Sequence, residues 1–77
     1  MIITMYHNDH NPPHFHVRFG EQKALIGIEK VSLIRGELSP RAMGLISEWA
    51  FAHRKELLNN WEKAKSRQAL DKIEPLK

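Results

Sequence analysis

The stretch HFHVRFGEQKALIGIE, residues 14–29, leaves this chain few ways to fold. From His14 to Phe19 apolar and polar side chains alternate, which is the period of a half-buried strand. Gly20-Glu21 then reads as a two-residue hairpin turn with glycine first. Gln22 to Glu29 returns as the partner strand. That turn sets Val17 opposite Ala24 and Phe15 opposite Ile26. Phe15, Val17, Phe19, Ala24, Ile26 and Ile28 then share one face. His14, His16, Arg18, Lys23, Leu25 and Gly27 share the other. A slip of one residue would exchange the two faces, so the pattern specifies the register.

A hairpin with one oily face needs a cover, and the second half of the chain supplies one. Ser39-Pro40 is a helix start: serine caps, and proline suits the first helical position. At 100° per residue, Ala42, Leu45, Ile46, Trp49, Ala50, Leu57, Trp61 and Ala64 form one apolar stripe. A long helix over residues 39–66 is therefore expected to lie on the phenylalanine face. Ile2 to Tyr6 is apolar and rich in strand formers, and Val31 to Arg35 offers a further short strand ended by Gly36. Asn8, Asp9, Asn11, Pro12 and Pro13 form a loop between the first two strands. The expected fold class is α+β: a small antiparallel sheet of three to four short strands packed against one long C-terminal helix. The sheet occupies 1–38, the helix 39–66, and 67–77 is an extended tail in which Ile73-Glu74-Pro75-Leu76 can dock.

With 77 residues this is one small domain. Such a core contributes roughly 3–5 kcal/mol, so assembly or a bound metal commonly supports it. There are no cysteines, hence no disulfides or thiolate sites, which suits a reducing cytoplasmic setting. No apolar run is long enough to span a bilayer, and no leader pattern opens the chain. Net charge is +3. Residues 1–38 hold four basic and four acidic side chains; residues 39–77 hold eight and five, with Lys63, Lys65 and Arg67 clustered. Charge counted along the chain thus places a nucleic-acid surface, if there is one, on the C-terminal half.

DHNPPHFHVRFG (9–20), EWAFAHRKELLNNWEKA (48–64) and KIEPL (72–76) together resemble a small bacterial family catalogued as domain of unknown function 4160. The resemblance covers nearly the whole chain. Many members carry a further short segment before the first strand, which bears on the strand count. The resemblance implies no catalytic residues. It implies a gene neighbourhood shared with another small protein, of the kind expected for toxin–antitoxin-like or mobile-element pairs.

Four of the five histidines fall between residues 7 and 16. His14 and His16 project from one face of a strand, and His10 can approach from the loop. Imidazoles so placed are ligands for a divalent transition metal such as zinc, nickel or copper. Asp9 could orient one of them through that imidazole's second ring nitrogen. The same groups with Arg18, Lys23 and Glu21 could cleave RNA by acid–base chemistry, making His10, His14, His16 and Arg18 the catalytic candidates. Equally, the histidines can form a polar partner-binding surface, or the prolines and histidines can simply build a turn. His53 and Asn60 fall on the apolar stripe and are expected to be buried polar groups with partners. Gly44, Phe51 and Leu58 recur every seven residues on the opposite helix face, a seam suited to a second helix. The leading expectation is a non-enzymatic protein–protein interaction module, homo-oligomeric or paired with a small protein. A histidine-dependent ribonuclease, a metal-binding protein and a nucleic-acid-binding protein are the alternatives. No membrane role is expected.

Overall fold

The computed structural model describes residues 2–6 and 11–74. Four strands form one antiparallel sheet in the order β1-β2-β3-β4: Ile2–Thr4, His14–Phe19, Gln22–Gly27 and Ser32–Gly36. The hairpin between β2 and β3 has the register its alternation requires, with Val17 opposite Ala24 and Phe15 opposite Ile26. Gly20 takes φ +61 in the two-residue turn, a conformation glycine adopts at no steric cost. Strand β1 pairs with β2 through Ile3 opposite Val17 and Thr4 opposite His16. Strand β4 pairs with β3, with a bulge between Leu25 and Ile26. Gly36 ends β4 at φ +84, where a side chain would run into the Lys23 carbonyl.

Ser39 caps the helix as its sequence position implies. Its hydroxyl oxygen accepts from the Ala42 amide at 3.2 Å, and Pro40 opens the first turn. The expected single long helix is corrected: there are two, α1 over Pro40–Ala52 and α2 over Arg54–Lys65, separated at His53. No glycine or proline breaks the ladder here. At the start of α2 the Arg54 Nε donates to the carbonyls of Ile28 (3.3 Å) and Glu29 (3.2 Å), tying this end of the helix to the β3–β4 turn. Both helices reach the same core, α1 through Ile46, Trp49 and Ala50 and α2 through Leu57 and Trp61.

Phe15, Val17, Ala24 and Ile26 meet Ile46, Trp49, Ala50, Leu57 and Trp61 in one core, with the Phe15 and Trp49 rings edge to face at 6.0 Å. Two stripe or strand residues depart from expectation. Leu45 is exposed, and Phe19 is exposed beside the hairpin turn. The tail docks as far as it is described. The Trp49 indole donates to the Glu74 carbonyl at 2.9 Å, Ile73 packs on the core, and Asn60 and Lys63 hold Asp71. No helix among the described residues is long and apolar enough to cross a membrane.

Candidate functional site

With the helices on one side of the sheet, alternation leaves the other side open. Ile2, Thr4, His16, Arg18, Lys23, Leu25 and Arg35 belong to this side by register. Tyr6 continues it beyond Thr4, its ring meeting the His16 ring edge-on at 4.5 Å and 77°. Together with backbone at Val17, Ala24 and Gly36 these residues line a groove of about 430 Å³. Of the described residues lining it, three are basic (Arg18, Lys23, Arg35) and none is acidic.

The charges are arranged against local preference. Arg18 and Lys23 are directly opposite one another across β2 and β3. Like charges so placed repel. Arg35 sits on the next strand, opposite Leu25. All three are exposed, and none is in an ion pair among the described residues. The remaining ion pairs there lie on the helices and tail, such as Lys63 with Asp71 at 2.6 Å.

The histidines do not act as one set. His14, placed by alternation on the face away from the phenylalanines, is nonetheless buried, 5% exposed. Its ring lies 5.1 Å from that of Trp61 and 5.4 Å from that of His16. Its Nδ1 is 2.7 Å from the Pro12 carbonyl oxygen. A carbonyl only accepts, so Nδ1 carries the hydrogen, leaving Nε2 as the ring's other polar atom. The prolines hold this geometry: the Ile28 amide donates to the Pro13 carbonyl at 3.0 Å, closing the loop onto the end of β3. Of the catalytic candidates, only His16 and Arg18 line the groove. His10 and Asp9 lie outside the described residues. Among the described residues, no three metal-ligating side chains gather.

Elsewhere, Asn60 is buried as expected, but His53 is corrected to half-buried. It sits at the helix break with Nδ1 2.7 Å from the Glu56 carboxylate and its ring against Trp49. The seven-residue seam is also divided by that break. Gly44 and Phe51 are exposed on α1, Phe51 at 73%, whereas Leu58 on α2 packs partly into the core. Tyr6 and Arg35 were not singled out by sequence reasoning. Sorting charges by strand face rather than along the chain would have found Arg35.

A family model described as Domain of unknown function (DUF4160) matches residues 1–62. No curated relative and no solved structure matches the chain.

Proposed function

The chain belongs to the DUF4160 family, and we propose that it is a non-enzymatic interaction module whose working surface is the open face of the sheet, built to receive an anionic partner. The observation that carries this reading is the Arg18–Lys23 pair. Two cations held directly opposite without a counter-ion among the described residues cost the free protein roughly 0.2–1 kcal/mol. Arg35 adds a third positive charge to the same groove. A partner carrying negative charge removes the repulsion, and local conflict of this kind is characteristic of binding sites. Ile2 and the whole of β4 are exposed, and Val17 and Ala24 anchor the strands between them in the core.

Acid–base catalysis receives less support. His14 is buried against Trp61 with one ring nitrogen committed to Pro12, so it does not share the groove with His16 and Arg18. Membership of a toxin–antitoxin-like pair remains compatible with a binding module, since the regulatory half of such a pair acts by binding.

Retention on heparin tests the surface itself. Arg18→Ala/Lys23→Ala should elute at clearly lower salt than Lys55→Ala/Lys72→Ala, which has the same net charge but alters the helix and tail. Equal elution of the two variants would remove the open face as the anion-binding surface.

A further inference from the structure

Resting on the open-face reading above, we infer that the anionic partner is a single-stranded polynucleotide, laid across the strands with phosphates on Arg18, Lys23 and Arg35 and a base stacked on Tyr6. The three cations sit on three adjacent strands, β2, β3 and β4. Adjacent strands are about 4.8 Å apart, and Arg35 is opposite Leu25, two residues along β3 from Lys23, so the charges run obliquely over three strands. A spread of charge like this suits a ligand with repeated negative charge better than a single phosphate ion.

Tyr6 decides what kind of repeated anion fits best. It is 54% exposed at the margin of the same groove, and its ring meets that of His16 at 77°. An exposed aromatic beside a cationic track is the arrangement by which proteins hold single strands without strict sequence preference: the charges follow the backbone and the ring stacks a base. An acidic peptide would satisfy the cations and leave the tyrosine face without a flat partner. Thr4, between Tyr6 and Ile2 on β1, adds a hydroxyl on the same side.

The test is fluorescence anisotropy with a labelled single-stranded oligouridylate and, separately, a polyglutamate peptide of matched charge. The proteins are wild type, Tyr6→Ala, Tyr6→Phe and Lys23→Ala/Arg35→Ala, each checked for fold by circular dichroism. Three phosphate contacts predict that log affinity for the oligonucleotide falls with log salt at a slope of about −2. Tyr6→Ala should weaken binding roughly five- to a hundred-fold, Tyr6→Phe should restore it, and the double variant should flatten the slope. If polyglutamate binds as tightly as the oligonucleotide and Tyr6→Ala changes neither, the polynucleotide assignment is overturned while the anionic surface stands. If the double variant binds oligonucleotide as wild type does, both are overturned.

Discussion

Asn60 clasps Asp71 with both atoms of its amide: Oδ1 accepts from the Asp71 amide at 2.9 Å, and Nδ2 donates to the Asp71 carbonyl at 2.8 Å. A buried side-chain amide has thereby acquired the backbone partners it needs, and the tail is fastened across α2. Asn60→Leu should cost about 1–3 kcal/mol in urea denaturation, because it removes both bonds and leaves the Asp71 backbone groups to find other partners. The same variant should speed amide exchange around Asp71–Ile73. Unchanged exchange there would show that the tail is held without Asn60.

His14 and His16 are neighbours on one strand with different duties. His14→Ala is expected to destabilise the fold by about 1–3 kcal/mol, since it empties a buried site against Trp61 and frees the Pro12 carbonyl. His16→Ala should cost less than about 1 kcal/mol. Loss of activity in a His14 variant therefore needs a folding control before it is read as chemistry. Equal stability losses in thermal or urea denaturation would contradict this division.

Lys23→Glu separates stability from binding. It turns the like-charge pair with Arg18 into an opposite-charge pair, so stability in urea denaturation should rise by up to about 1 kcal/mol. Heparin retention should fall at the same time. A variant that loses stability and retention together would indicate that Lys23 supports the fold instead.

The helix break divides what looked like one seam. Phe51→Glu should leave stability within about 0.5 kcal/mol, as expected for an exposed position. Leu58→Glu should cost more than about 1 kcal/mol, because Leu58 packs against the core. Sedimentation of Phe51→Glu also tests helix pairing: a lower mass than wild type would make the α1 face an interface between copies.

The hairpin was legible because its information is local: alternation and the Gly20-Glu21 turn set register without help from the rest of the chain. Ser39-Pro40 was legible for the same reason. The helix break was not: it falls at His53 with no glycine or proline beside it, and the Arg54 bonds that accompany it reach carbonyls some 25 residues earlier in the sequence, which no local pattern signals. The burial of His14 was hidden similarly. Strand alternation assigns a face, but it cannot show that Trp61 lies against one end of it. Charge counting misled in a different way. Residues 1–38 balance four basic side chains against four acidic ones, yet Arg18, Lys23 and Arg35 all line one groove while Glu21 and Glu29 sit at turns.

The most direct test of the open-face account is a titration of ¹⁵N-labelled protein with short-chain inorganic polyphosphate, followed by amide chemical shifts. The account predicts shifts concentrated at His16, Arg18, Lys23, Leu25 and Arg35, with α1 and α2 little changed. Shifts concentrated instead at Lys63, Lys65 and Arg67 would contradict it and return the anion-binding surface to the basic end of the second helix.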